Sequence, residues 1–209
     1  MRKYIIMGVQ GCGKGTQAKL LQTDFDLVHI SVGDIFRWHI QNHTKLAARI
    51  RRIVTAGGLV PDDIVAEVVK NRLEMHDWNY GFILDGFPRT VPQAQALATM
   101  LKTRGLSLDR VLALEVPRDL LIERAVDRRT DKRTGQIYHL KYNPPPPDAD
   151  LEHRADDREE AVRKRLDVYE AMTSELLPYY EKLGILRRVN GVGSVEEVTG
   201  RVLEALGDK

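Results

Sequence analysis

Gly8-Val9-Gln10-Gly11-Cys12-Gly13-Lys14 follows directly on the apolar segment 4–7 and precedes a helical pattern over residues 16–22. The spacing of its glycines and lysine is that of a Walker A loop. In such a loop the backbone N–H groups curl around a phosphate, and the N-terminus of the next helix also favours an anion. The strict pattern has a hydroxyl residue directly after the lysine, whereas here Gly15 intervenes before Thr16. An ordinary glycine-rich turn is the alternative, but strand, glycines, lysine, hydroxyl and helix coincide here, which favours phosphate binding.

Short apolar segments alternate with helical patterns along most of the chain. This alternation predicts an α/β fold with a parallel sheet covered by helices on both faces, and the loop makes it a P-loop NTPase-type sheet. Ligands bind such sheets at the carboxyl ends of the strands. We predict strands at 4–7, 28–30, 81–84, 111–116 and 186–189. We predict helices at 16–22, 31–40, 45–55, 61–74, 91–102, from Pro117 onward, at 155–183 with a kink at Pro178, and at 194–206.

The amino-acid composition of the sequence changes between residues 129 and 156. Residues 130–150 are polar, contain Gly135 and a run of four prolines at 144–147, and include a strand-like piece at 136–142. We interpret this segment as a small flap inserted between two helices, and not as a linker between large domains.

Composition limits the classes of protein that fit. The 209 residues are 43% apolar and 30% charged, enough for one sizeable core. No stretch approaches the roughly 20 apolar residues of a membrane span, so no membrane association is expected. A net charge of +2 does not indicate nucleic-acid binding. The compartment expected is the cytoplasm, or an organelle matrix after processing.

Cys12 is the single cysteine, which excludes an internal disulfide. Its place at a helix N-terminus beside Lys14 predicts a lowered thiol pKa. We interpret it as a tolerated loop residue without a part in catalysis.

Five segments resemble the adenylate kinase family, and they span almost the whole chain in the family's order. The resemblance implies a P-loop core (1–31, 61–128 and 158–209), a helical insertion that binds the nucleoside monophosphate (32–60) and a lid (129–157). It implies reversible Mg²⁺-dependent phosphoryl transfer from ATP to AMP, giving two ADP. The segments are Lys14-Gly15-Thr16-Gln17, Ile30-Ser31-Val32-Gly33-Asp34-Ile35-Phe36-Arg37, Leu84-Asp85-Gly86-Phe87-Pro88-Arg89-Thr90, Asp127-Arg128-Arg129, and Asp156-Asp157-Arg158-Glu159-Glu160 leading to Val162-Arg163-Lys164-Arg165-Leu166.

The resemblance also implies the site residues. Those expected to contact ATP are Gly11, Cys12, Gly13, Lys14, Gly15, Thr16, Arg124, Arg128, Ile137, Tyr138 and Gly193. Those expected to contact AMP are Val32, Arg37, Gly58, Leu59, Val60, Gly86, Phe87, Pro88, Arg89, Gln93, Arg154 and Arg165. Thr16 and Asp85 are expected to hold Mg²⁺, directly or through water. Lys14, Arg89, Arg128, Arg154 and Arg165 are expected to act in catalysis.

This residue set suits the chemistry. Transfer between two phosphates needs no general base, because the acceptor is already ionised; it needs in-line positioning and neutralisation of negative charge. Arginine stays charged, and its planar fork can bind two oxygens at once. Arginines on separate segments surround the phosphates only if the flap closes, and closure excludes water.

Two features depart from the family pattern. Val32 stands where threonine is common near the AMP base, so a hydroxyl that helps to select adenine is missing. The second arm of the flap is short, and it lacks the cysteines that hold zinc in some relatives, so we expect a metal-free lid held by a polar network. The alternatives are a UMP/CMP kinase and a non-catalytic nucleotide-binding regulator, although a regulator would not need arginines on the acceptor side. A monomer is expected from the resemblance.

Overall fold

The computed structural model describes residues 1–75 and 80–207. Residues 76–79 and 208–209, which fall within the predicted core segments, lie outside the described residues. In chain order the elements are β1 (Lys3–Met7), α1 (Lys14–Phe25), β2 (Leu27–Ser31), α2 (Val32–Gln41), α3 (Lys45–Thr55), α4 (Asp62–Glu74), β3 (Gly81–Asp85), α5 (Val91–Lys102), β4 (Arg110–Glu115), α6 (Arg118–Val126), β5 (Arg128–Asp131), β6 (Ile137–His139), β7 (Leu151–Glu152), a 3-10 turn (Ala155–Asp157), α7 (Glu159–Lys182), β8 (Leu186–Asn190) and α8 (Val195–Leu206).

A five-stranded parallel sheet with the order β2-β3-β1-β4-β8 forms the centre of the molecule. β1 lies in the middle, and its Ile5 is opposite Leu84 on one side and Val111 on the other. From β1 the chain first builds the β2 and β3 side and then crosses to β4. The loop after β1 therefore lies at the point where the strand order reverses, which is where α/β sheets bind ligands. The predicted α/β fold is confirmed.

Helices cover both faces of this sheet because the strand side chains alternate between two apolar clusters. Ile5 and Met7 of β1 belong to the cluster formed with α2 to α5 and the C-terminal half of α7. Tyr4 and Ile6 belong to the cluster formed with α1, α6, α8 and the start of α7. The central strand is thus buried on both faces, which fixes the position of the loop that follows it.

Two helices differ from their predicted extents by more than one residue. α1 begins at Lys14, two residues earlier than the pattern indicated, because the loop ends at Gly13 in a left-handed conformation (φ 94°) and the chain turns helical at once. The predicted helix 155–183 is divided into a 3-10 turn and α7, since Arg158 between them is extended (φ −66°, ψ 140°). α7 then continues through Pro178.

α2 and α3 form the helical insertion after β2. Each helix has a side-chain N-cap: Ser31 accepts from Asp34 N at 3.2 Å, and Thr44 accepts from Ala47 N at 3.4 Å. The segment returns to the core at Gly57 (φ 72°), where a Cβ atom would lie 2.4 Å from the carbonyl oxygen of Ala161. The insertion therefore packs closely against the start of α7.

The flap between α6 and α7 is a small antiparallel sheet with the order β6-β5-β7. Only β6 lies within the strand-like piece predicted at 136–142, and β5 and β7 had not been predicted. β5 has the sequence Arg-Arg-Thr-Asp and so shows no alternation of apolar and polar residues. Within the described parts of the chain, no helix has the length and apolar character that a membrane crossing requires.

Candidate active site

The loop between β1 and α1 needs glycine at two close approaches. A Cβ atom on Gly11 (φ 89°) would lie 2.5 Å from the carbonyl oxygen of Leu121, and one on Gly8 (φ 145°) would lie 2.5 Å from Cys12 Sγ. Gly13 also has positive φ and leads into α1, and no side chain of the described residues caps that helix. The first N–H groups of α1 are therefore available to an anion.

Lys14 is the first residue of α1 and lies half-buried beside the loop. Its Nζ donates to the carbonyl oxygen of Val9 at 3.4 Å, so the side chain folds back over the loop that it follows. The ammonium group thus lies at the mouth of the predicted phosphate cradle.

Cys12 differs from its predicted state. The side chain is 1% exposed, and burial raises the pKa of the thiol, although the Lys14 charge and a backbone hydrogen bond act in the opposite direction. The prediction of a lowered thiol pKa is therefore wrong. Cys12 packs in the apolar cluster under the loop, and its thiol is not a reactive group.

Asp85 ends β3 and is 7% exposed. Its Oδ2 lies 3.7 Å from where a Cβ atom on Gly15 would be, so the carboxylate faces the start of α1. On its other side, Oδ2 is 3.5 Å from Nε2 of His29 in β2. Thr16 is exposed on the first turn of α1. A carboxylate and a hydroxyl beside a phosphate loop are oxygen ligands of the kind that Mg²⁺ takes together with substrate phosphates.

Two of the predicted arginines pair with neighbouring aspartates between the flap and α7. Arg128 Nε donates to Oδ2 of the fully buried Asp157 at 3.0 Å, and although burial alone would lower the pKa of Arg128, this pairing raises it. Arg165 Nη1 donates to Asp156 Oδ2 at 3.0 Å. Burial would raise the pKa of Asp156, but the Arg165 charge holds it below its usual value.

Arg89 and Arg154 have no carboxylate within ion-pair distance in the parts of the chain that the structure describes. Arg89 Nε donates to the carbonyl oxygen of Gly86 at 2.9 Å. Burial, together with the charges of Arg165 and Arg37, lowers the pKa of Arg89 to about 10. Burial and the charges of Arg37 and Arg128 likewise lower the pKa of Arg154 to about 10. Both side chains remain charged near neutral pH, so the site gathers positive charge that an anionic ligand would neutralise.

Arg37 on α2 faces the same cluster. Its Nε donates to Asp34 Oδ1 at 3.2 Å, and Nη2 contacts the same oxygen. Burial would raise the pKa of Asp34, but the Arg37 charge and hydrogen bond lower it. The charge of Arg37 therefore acts on Arg89 and Arg154, whose pKa values it helps to lower.

The remaining residues expected to contact ATP lie at the far side of the loop and in the flap. Arg124 Nη1 donates to the carbonyl oxygen of Gly191 at 3.0 Å, which holds it beside the turn after β8. In the same turn Gly193 (φ 126°) leaves no room for a Cβ atom, which would lie 2.3 Å from Glu197 Oε2. Ile137 and Tyr138 are half-buried in β6.

One small cavity brings together six of the residues expected to contact AMP: Val32, Leu59, Val60, Gly86, Arg89 and Gln93. Phe36 and Val65 complete its wall, and sequence reasoning had missed both; their apolar positions on α2 and α4 were the available signal. Phe87 is 3% exposed and packs in the core. Gly58 lies in the turn before Val60, and its N–H donates to Ile53 O at 2.9 Å. Pro88 follows Phe87 through a cis peptide bond.

Gln93 is 4% exposed, and both ends of its side-chain amide are engaged. Its Nε2 donates to Asp62 Oδ1 at 2.6 Å, and its Oε1 accepts from the backbone N–H of Arg89 at 2.8 Å. Asp62, like Gln10, Asp156 and Asp157 near the arginines, is a site neighbour to which the sequence analysis assigned no role in the site. The partners of Asp62 and Gln10 are distant in the chain, which hides these contacts from a reading of the sequence.

A glycine loop at the switch point of a parallel sheet, together with converging arginines and a small cavity beside them, defines a P-loop kinase of small phosphorylated acceptors. A family model described as adenylate kinase matches residues 6–185. A curated adenylate kinase of Sorangium cellulosum is 55% identical over 97% of this chain and 95% of the relative. Adenylate kinases of Carboxydothermus hydrogenoformans and Caldicellulosiruptor saccharolyticus are 45% and 44% identical, each over 98% of this chain and 99% of the relative.

The chain belongs to the adenylate kinase family. It is an enzyme of the nucleoside monophosphate kinase class, and its reaction is phosphoryl transfer from ATP to AMP, giving two ADP. The family and activity predicted from the sequence are confirmed.

Proposed function

We propose that phosphoryl transfer in this enzyme is in-line and is driven by positioning and by neutralisation of charge on the transferring group. The observation that carries this proposal is the pair Arg89 and Arg154. Both cations are half-buried near other arginines without a carboxylate at ion-pair distance among the described residues, and the pKa of each is lowered to about 10. The repulsion between these cations destabilises the ligand-free site, and the negative charge of bound phosphates offsets it.

The ATP phosphates bind in the loop of Gly11, Cys12, Gly13, Lys14, Gly15 and Thr16. Backbone N–H groups and the α1 N-terminus bind oxygens, and Lys14 swings from the carbonyl of Val9 onto the phosphates. Arg128 binds the ATP phosphates, while Arg124, Ile137, Tyr138 and Gly193 surround the nucleoside.

AMP binds on the opposite side of the site. Its phosphate, or the group in transfer, is held by Arg37, Arg89, Arg154 and Arg165. The side chain of Gln93 forms hydrogen bonds with the base. The turn at Gly58, Leu59 and Val60, with Val32 and the segment Gly86, Phe87, Pro88, encloses the nucleoside. The small, largely apolar cavity lined by Val32, Val60 and Gln93 supports this placement of the base.

Magnesium fits the oxygen ligands that this chain offers. Thr16 Oγ1 and the Asp85 carboxylate would hold it, directly or through water, and bound Mg²⁺ supplies positive charge to the ATP phosphates. His29 lies behind Asp85 and limits where the carboxylate can point.

The flap acts as a lid over the site. Residues 129–157 close onto the core (1–31, 61–128 and 158–209), and residues 32–60 close from the acceptor side. Closure brings Arg154 to the phosphates and excludes water, which would otherwise accept the phosphoryl group. We also propose that the enzyme works as a monomer in the cytoplasm.

Acceptor choice is the property to test, because Val32 lacks the hydroxyl that would help to select adenine. The experiment measures ADP formation from ATP and Mg²⁺ with AMP, CMP, UMP or GMP, for the wild type and for Val32→Thr. We expect a strong preference for AMP in the wild type, because Gln93 remains. We expect the added hydroxyl to lower the KM for AMP by about threefold or more, as one hydrogen bond does.

The outcomes separate the alternatives. A preference for CMP or UMP would assign the enzyme to the pyrimidine kinases and overturn the role given to Gln93. An unchanged KM for AMP in Val32→Thr would show that the base does not reach the position of residue 32.

A further inference from the structure

Gln10 lies in the phosphate loop, yet its side chain points away from the loop toward α7. It is 6% exposed, and its Nε2 donates to the carbonyl oxygen of Asp156 at 3.2 Å and to Oδ1 of Asp157. Its Oε1 accepts from Nη1 of Arg165. One buried amide thus joins the loop to the residues that begin α7.

The orientation of this amide is fixed by its neighbours. A guanidinium can only donate hydrogen bonds, and a carbonyl oxygen can only accept them. The oxygen of Gln10 must therefore face Arg165, and its nitrogen must face Asp156 and Asp157. The reverse orientation would leave a buried donor against a donor, which costs the full desolvation of both groups.

Among the residues that the structure describes, Arg165 has two acceptors, and Gln10 is the one that connects it to the phosphate loop. The other, Asp156 Oδ2 at 3.0 Å, belongs to the segment just before α7. Asp157, which anchors the nitrogen of Gln10, also binds Arg128. Two arginines assigned to the phosphates are therefore aligned with the loop through a single neutral side chain.

We propose that Gln10 is a positioning residue for the transfer step, which holds Arg165 in a fixed position relative to the phosphate loop. The proposal rests on the role given to Arg165 under the proposed function. Gln10 itself touches no reacting atom, and its effect passes through Arg165. A neutral amide suits this place, because a carboxylate would face Asp157 and an ammonium would face Arg165.

The decisive experiment is a double-mutant cycle between Gln10→Met and Arg165→Lys, read in kcat and in the KM for each substrate. Methionine keeps the length and volume of glutamine but removes both hydrogen-bonding groups. The matched control is Gln17→Met. Gln17 is 2% exposed, and its amide links α1 to α8 by donating to Val195 O at 3.3 Å and accepting from Thr199 at 3.0 Å.

We expect Gln10→Met to lower kcat by about tenfold or more, because a small displacement of a catalytic group slows the transfer step. The KM for each substrate should stay within about threefold of the wild-type value. In the Arg165→Lys background the same substitution should change kcat by less than about twofold, since the arginine fork that Gln10 holds is already gone. Gln17→Met should lower the melting temperature without coupling to Arg165→Lys.

Three outcomes would overturn the inference: an unchanged kcat in Gln10→Met, a fully additive loss with Arg165→Lys, or the same coupling in Gln17→Met. The role of Arg165 is read separately from the single variant. If Arg165→Lys alone keeps full kcat, the role proposed for Arg165 fails, and the inference fails with it. If Arg165→Lys loses kcat and Gln10→Met does not, only the inference fails.

A second variant guards against misfolding. Gln10→Asn retains the buried amide, but it is one methylene too short to reach Arg165 and Asp157 together. The same cycle with Gln10→Asn should again show a loss of kcat that disappears in Arg165→Lys.

Discussion

Asp62 accepts a hydrogen bond from the side-chain amide of Gln93, with 2.6 Å between Oδ1 and Nε2. Its other oxygen accepts from Thr90 Oγ1 at 3.0 Å. Because the backbone N–H of Arg89 donates to Gln93 Oε1, the amide is held at both ends before any base enters the cavity. The group that we assign to reading the AMP base is therefore oriented by the first residue of α4.

Asp62→Ala should raise the KM for AMP by about fivefold to thirtyfold, the equivalent of about 1–2 kcal/mol for one charge-assisted hydrogen bond. The preference for AMP over CMP should fall as well, since a freed amide can rotate. Asp63→Ala is the matched control, because it removes a neighbouring acid from the same first helical turn and leaves Gln93 held. Equal effects of the two substitutions would show that the helix start matters and the contact with Gln93 does not.

Lys14→Ala should reduce turnover by about a thousandfold or more, since it removes a positive charge aimed at the transferring phosphate. The melting temperature should hardly change, because the hydrogen bond of this side chain to Val9 O is long, at 3.4 Å. Activity and thermal unfolding are measured on the same preparation. Lys19→Ala, an exposed lysine on the same helix, serves as the control. Substantial remaining turnover in Lys14→Ala would contradict the assignment.

Arg154→Gln should make the ligand-free enzyme more stable while lowering kcat by about a hundredfold or more. The reason is that burial and the charges of Arg37 and Arg128 destabilise the charged form of Arg154, as its pKa of about 10 indicates. We expect the melting temperature without nucleotide to rise by about 2 °C. Arg158→Gln, at an exposed position four residues on, should change neither quantity. A lower melting temperature for Arg154→Gln would show that the cation has a structural partner.

The flap should keep its stability in a strong chelator, because a polar network holds its hairpin. Asp131 is 4% exposed and accepts from the backbone N–H of Arg133 at 2.8 Å, and Lys132 pairs with Asp150 at 3.0 Å. Asp131→Ala should lower the free energy of unfolding by about 1 kcal/mol or more, which corresponds to a fall of about 2–4 °C in melting temperature. Asp148→Ala, in the exposed tip, is the control.

Thermal unfolding with and without chelator provides the measurement for the flap. A chelator-dependent loss of stability in the wild-type protein, reversed by zinc, would overturn the polar-network hypothesis.

The parts of the site that are contiguous in the chain could be predicted from the sequence. The loop at residues 8–14 needs glycines for steric reasons that act between near neighbours, and Lys14 follows at a fixed distance. The lining of the cavity by Val32 and Gln93 was predicted from the resemblance alone. The roles of the individual arginines remain predictions.

Contacts between distant segments could not be predicted. Gln10 and Asp157 are 147 positions apart, and nothing in either residue indicates the other. β5 was missed because a polar strand of four residues is defined by its partners β6 and β7 and has no apolar pattern of its own. The pKa of Cys12 was misjudged because sequence shows the neighbouring lysine but not the depth of burial.

The burial of Cys12 has a practical use. The chain has no other cysteine, and this thiol is 1% exposed with a raised pKa. The native protein should therefore not react with thiol-reactive dyes. A cysteine introduced on the flap and another on the insertion would then be labelled selectively, with the native residue left in place. The distance between the two dyes would report opening and closing in single molecules during turnover.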